Sequence, residues 1–265
     1  MSAHSSDGVM DRRAFMVRGA AAGAGAAVGT GTLEALLPSI AAARGRKGGA
    51  TKGDLAILGA AQIAEALAVT TYTGIVHDAP FFTRLESDDQ GYFKAARQEE
   101  MAHYLLEQSV TRRPAGATTF YFPPKMFDDA QTTLNVLVTL EDAFIAAYLV
   151  GVRRFSSPDL RVTAARIMGI ESDHRTLARV VAPTLSIERI TGIQGKSESV
   201  DPPNNNTYER TLRWTRISQA VAALTPFIDR RAAVRAGFDT SRPFAFRPFT
   251  PSLPSRLGDF HSFIG

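Results

Sequence analysis

The sequence predicts an all-α protein: a four-helix bundle with an additional C-terminal helix and an extended tail. Three observations predict it. Residues 54–182 hold four long helix-type stretches, each bounded by capping residues or proline. No segment offers a series of strands with apolar and polar residues in alternation. And two of the four stretches carry the spacing Glu-x-x-His, Glu100–His103 and Glu171–His174, which sets a carboxylate beside an imidazole on one helical face.

The bulk composition fits this fold. The chain has 265 residues, 45% hydrophobic and 21% charged, enough for one sizeable core. The net charge of +4 is mildly basic, without the clustered basic stripe of a nucleic-acid binder. There are no cysteines, which excludes disulfides, thiolate metal sites, iron–sulfur clusters and cysteine nucleophiles. A metal site in this chain must therefore be built from His, Asp, Glu and other oxygen donors, a set that suits iron, manganese or zinc.

Residues 1–43 read as an export signal rather than part of the fold. Arg12-Arg13-Ala14-Phe15-Met16 precedes a Gly/Ala-rich run and the small residues Ala41–Ala43. The arginine pair resembles the twin-arginine type, which implies export of an already folded protein to the periplasm or the exterior. The run contains Glu34 and Pro38, so no stable membrane span is expected after processing. Cleavage after Ala43 leaves the charge at +4, since Arg12, Arg13 and Arg18 balance Asp7, Asp11 and Glu34. Residues 44–53 read as a basic linker.

The first helix opens with Asp54 as cap and ends before Pro80. The second runs from Asp88 or Asp89 to about Arg112. An aromatic and proline-rich connection, "RPAGATTFYFPPK", leads to the third, from about Asp128 to Phe155. Ser157 caps the fourth, with Pro158 at its first position, and it runs to about Val181. These four make a bundle over 54–182. Residues 183–236 hold a loop and a fifth helix starting near Tyr208 and interrupted near Pro226. Residues 237–265 are a Pro/Phe-rich tail expected to pack on its own bundle, with a homo-oligomer contact as the alternative.

Each of the four helices places an acid near its centre: Glu65, Glu100, Glu141 and Glu171. His103 and His174 follow one turn after two of them. One Glu from each of two helices and Glu-x-x-His from each of the other two is the ligand set for a pair of metal ions in a bundle core. Buried carboxylates without cations or protons would be very costly. Tyr72 follows Glu65 by seven residues and Tyr148 follows Glu141 by seven, so each Tyr shares its Glu's face. The two halves thus repeat one pattern, with the tyrosines as second-layer donors or as core packing. Glu99, four before His103, is a competitor for Glu100. Asp142 and Asp173 read as surface acids, or as supports behind the ligands.

The stretches "AEALAVTTYTGI", "RQEEMAHYLL", "LEDAFIAAYLVGV" and "IMGIESDHRTL" resemble the ferritin-like superfamily, and within it the exported group that includes desiccation-related proteins. The resemblance covers residues 54–182. It implies Glu65, Glu100, His103, Glu141, Glu171 and His174 as metal ligands, two ions, iron first and manganese as the alternative, and dioxygen or peroxide as reactant. The expected function is that of a di-iron ferroxidase or oxygen/peroxide-dependent oxidoreductase. The alternatives are a dimanganese catalase-like peroxide scavenger and a non-enzymatic stress protein.

Overall fold

A computed structural model describes residues 50–191, 195–201 and 212–252. The expected export signal, most of the linker, the start of the expected fifth helix and the last two tail phenylalanines lie outside the described residues.

The chain folds into four long helices: α1 (Lys52–His77), α2 (Ser87–Thr111), α3 (Ala130–Arg154) and α4 (Pro158–Val181). They pack most extensively as two hairpins, α1 on α2 and α3 on α4. α1 and α3 are apolar almost all round and form the interior, while α2 and α4 each turn one face outward. The central α1 residues Leu67, Tyr72 and Ile75 have no exposed surface, nor has Leu134 of α3.

Local chemistry sets the ends. The cap of α1 is Thr51, not Asp54. Asp54 is the third helical residue of a capping box, its carboxylate accepting from Thr51 N at 2.9 Å while Thr51 Oγ1 accepts from Asp54 N at 3.1 Å. The helix therefore includes Lys52 and Gly53, which the sequence assigned to the linker. Asp54 also accepts from Ser156 N at 2.8 Å, tying the start of α1 to the α3–α4 turn. Asp129 caps α3, and Ser157 caps α4 with Pro158 at the first position, as its sequence predicts.

Two small sheets depart from the all-helical expectation. β1 (Thr119–Phe122) pairs antiparallel with β4 (Asp239–Ala245), and β2 (Arg189–Thr191) with β3 (Ser197–Ser199). β1 comes from the aromatic and proline-rich connection between α2 and α3. Its Phe120 and Phe122 are buried with one residue between them, a period-two pattern too short to register as a strand. The fifth helix is shorter than its sequence predicts. Residues 212–216 are not helical, α5 spans Ile217–Ile228 with Pro226 inside it, and the interruption falls at Asp229. Asp229 then accepts from Ala232 N at 2.8 Å and caps a short α6 (Arg230–Arg235).

The described part of the tail packs on its own bundle. Phe246 stacks near Tyr104 of α2 with ring centroids 4.8 Å apart, and Phe249 lies under the Arg97 guanidinium at 4.0 Å.

Candidate metal centre

Six predicted residues converge inside the bundle from all four helices. One ligand-type atom from each of Glu65, Glu100, His103 and Glu171 lies within 4.8 Å of the others. So does one from each of Glu100, Glu141, Glu171 and His174. Glu100 and Glu171 belong to both groups, which makes them the carboxylates placed between two positions. Glu65 with His103 flanks one position, and Glu141 with His174 flanks the other.

Both imidazoles turn Nδ1 inward. His103 Nδ1 lies 3.3 Å from Glu171 Oε1, 3.5 Å from Glu100 Oε2 and 3.6 Å from Glu65 Oε2. His174 Nδ1 lies 2.9 Å from Glu100 Oε1 and 3.5 Å from Glu171 Oε2. The site is buried: Glu100, Glu141 and Glu171 have no exposed surface, Glu65 has 2% and His174 4%. His103 is the most open, at 12%.

The tyrosines cross between halves. Tyr72 of α1 donates to Glu141 Oε1 of α3 at 2.7 Å. Tyr148 of α3 sets its hydroxyl against Glu65 Oε1 of α1 and, at 2.9 Å, against Glu107 Oε1 of α2. Burial, followed by the neighbouring carboxylates, pushes both phenols well above their ordinary range, so they act as protonated donors.

Packing so many acids together sets their protonation. Burial, then the charges of Glu100 and Glu171, raises Glu65 well above the usual carboxylate range. Burial, then Glu171 and Glu100, does the same to Glu141. For Glu100 burial acts in the same direction, but the His174 charge and the close approach of both histidines outweigh it and hold its carboxyl low. Burial works to lower His103 and His174, yet the surrounding carboxylates raise both well above the ordinary imidazole value. The cluster thus uses protons and His–Glu pairing to offset charge that cations would otherwise balance.

The orphaned atoms test whether cations fit. Glu65 Oε2, both oxygens of Glu100, Glu141 Oε2, both oxygens of Glu171, and Nδ1 of His103 and His174 are buried without a hydrogen-bond partner. These are the inward-facing ligand-type atoms of the two groups. Buried polar atoms are normally satisfied, so a concentration of such atoms at one point suits an electrophile. Two divalent cations would bring four positive charges to four carboxylates, with neutral imidazoles completing each set. The donors fit.

Residues 53–183 match the family model of the ferritin-like domain. This segment is similar to ferritin-like domains. No curated protein and no solved structure is matched by the chain.

Within this bundle, Glu99 does not compete with Glu100. Its carboxylate lies on the outer side of His174, 2.9 Å from Nε2, and fixes that ring with Nδ1 inward. Asp142 is not a surface acid. It is 4% exposed and accepts from Arg175 Nη1 at 2.6 Å, an interhelical ion pair between α3 and α4. Asp173 is exposed, as expected. Glu107, 1% exposed and against Tyr148, has no counterpart in the sequence reading. It stands seven residues after Glu100, the spacing that places Tyr72 and Tyr148 on the faces of Glu65 and Glu141, so its signal was present.

Proposed function

We propose that this protein is a dinuclear iron protein that oxidises Fe(II) or a small substrate with dioxygen or peroxide as electron acceptor. The observation that carries this reading is the pair of ligand groups sharing Glu100 and Glu171, whose inward atoms are buried without partners. Bound iron would supply the electron exchange with oxygen species. The chain's own contribution is to hold and to exclude. Glu100 and Glu171 sit between the positions, and Glu65 and Glu141 close the outer sides. Tyr72 and Tyr148 restrain those outer carboxylates, and Glu99 holds the His174 ring. The apolar walls of α1 and α3 keep bulk water away, which strengthens each charge interaction.

The proposal includes export by the twin-arginine route and kinship with desiccation-related proteins. Export is supported by the Arg12-Arg13 stretch and the small residues up to Ala43, and the kinship by the helix stretches around Glu65, Glu100, Glu141 and Glu171. A mature N-terminus at Arg44 in the exported protein is the expected result, and retention of residues 1–43 outside the cytoplasm would count against it.

The activity test is oxygen consumption by the mature protein given Fe(II), set against decomposition of hydrogen peroxide by the manganese-loaded protein. Stoichiometric oxygen uptake with Fe(II) supports the proposal. Peroxide decomposition alone would replace it with the manganese scavenger. Neither activity in a protein that holds two ions would leave a structural role for the metal.

A further inference from the structure

Approximate symmetry relates the two halves of the site. Glu65 and Tyr72 on α1 correspond to Glu141 and Tyr148 on α3, and Glu100–His103 on α2 to Glu171–His174 on α4. Seven residues after Glu100 stands Glu107, whereas seven after Glu171 stands Ala178, itself wholly buried. At this position one half therefore carries a buried carboxyl where the other has alanine.

Glu107 is not a member of either ligand group. Its Oε1 faces the Tyr148 hydroxyl at 2.9 Å, its Oε2 is buried with no hydrogen-bond partner, and the residue is 1% exposed. Tyr148 has one phenolic proton and two carboxyl oxygens against it, from Glu65 and Glu107. It can donate to only one of them. The other contact is satisfied only if that carboxyl carries a proton and donates to the phenol oxygen. Two divalent ions balance the four ligand carboxylates, so Glu65 is the anionic end of this chain and Glu107 the neutral one. Burial independently favours the protonated form of Glu107.

We propose that Glu107 is a positioning residue for the Glu65–His103 ion position: its neutral carboxyl donates to Tyr148, which donates to Glu65. The inference rests on the metal reading above. Its consequence is that the two ion positions are unequal. The Tyr72–Glu141 side has a two-member chain, and the Tyr148–Glu65 side has a three-member chain whose direction is fixed by Glu107.

The test is titration of the metal-free mature protein with Co(II), followed by the visible absorption of the bound ion and by calorimetry. The native chain is expected to take up two ions. Glu107→Ala is expected to weaken one of them roughly 10- to 100-fold, the usual effect of removing a support behind a ligand, and to leave the other unchanged. Tyr148→Phe should give the same loss, and the double variant no further loss, because the two act as one chain. Glu107→Gln, whose amide N–H can donate to the phenol oxygen at nearly the same volume, should keep affinity within about threefold of native. It also guards against a folding defect in the alanine variant. Native affinity in Glu107→Ala would overturn the inference while leaving the metal site intact. So would additive losses, or a glutamine variant as weak as the alanine one. A native chain that takes up no Co(II) would overturn the metal reading along with it.

Discussion

Tyr72 of α1 donates its phenolic proton to Glu141 of α3 across 2.7 Å of buried interior. The bond joins two helices of different hairpins and leaves Glu141 Oε2 as the oxygen turned inward. Tyr72→Phe is therefore expected to free Glu141 to rotate and to weaken one metal position about 10-fold or more. Competition with a chelator measures this. Unchanged affinity would mean that the phenol is packing alone.

The same carboxylates make the metal-free protein less stable than it need be. Glu141→Gln removes one buried acid from a crowded group while its carbonyl still accepts from Tyr72. Thermal melts with chelator at pH 8 should show a midpoint higher by about 2–4 °C, the shift of ~1 kcal/mol in a chain of this size. Metal uptake should fall in the same variant. A lower midpoint would show that the cluster stabilises the fold without cations.

The pH dependence of the metal-free protein follows from the shifts. Glu65 and Glu141 are raised above the ordinary 4.5, by burial first, so above that pH the folded state keeps protons that the unfolded state has lost. Their effect is a stability that falls as pH rises toward their folded values. His103 and His174 are raised above the ordinary 6.5, so their contribution is complete below that value and is lost as pH rises through the folded one. Both effects have the same sign. Metal-free protein should melt higher at pH 6 than at pH 8.5 by at least about 2–4 °C. With divalent ions bound the order should flatten or reverse, because the ligands are then deprotonated. A metal-free midpoint that rises with pH would contradict the electrostatic account.

Gly74 of α1 tests the packing around the site. A Cβ there would lie 2.5 Å from Cε1 and Cζ of Phe127. That ring is held by Phe122 and Phe244 at 5.3 and 5.2 Å and cannot withdraw without moving the β1–β4 sheet. Gly74→Ala should destabilise the protein by about 1–3 kcal/mol, read from denaturant unfolding. A neutral result would show that the sheet yields readily.

The bundle is legible in the sequence because its helices are long, capped and separated by proline, and because Glu-x-x-His recurs in two of them. Glu65 and Glu141 are legible because an acid at the centre of a helix apolar almost all round has nowhere to point but inward, and Glu100, His103, Glu171 and His174 are legible from the repeated Glu-x-x-His spacing. Glu107 is less legible because it lies near the end of its helix, among residues that also suit a surface. The burial of Asp142 is not legible because its counter-ion, Arg175, is on another helix, and sequence spacing does not reveal pairs formed across helices. The strands are not legible because each is only three to seven residues long, and β1 gains its partner from a distant part of the chain: Phe120 lies opposite Phe244. The end of α5 was set by Asp229 and its cap rather than by Pro226, since a proline in a short helix can be tolerated where packing holds the turn.

The most direct test is the metal content of the mature protein and of two variants. The account predicts two divalent ions per native chain. Glu171→Ala, which removes a residue common to both ligand groups, should lose both, whereas Glu65→Ala should keep the ion flanked by Glu141 and His174. A native chain without stoichiometric metal, or a Glu171→Ala variant that still binds two ions, would contradict it.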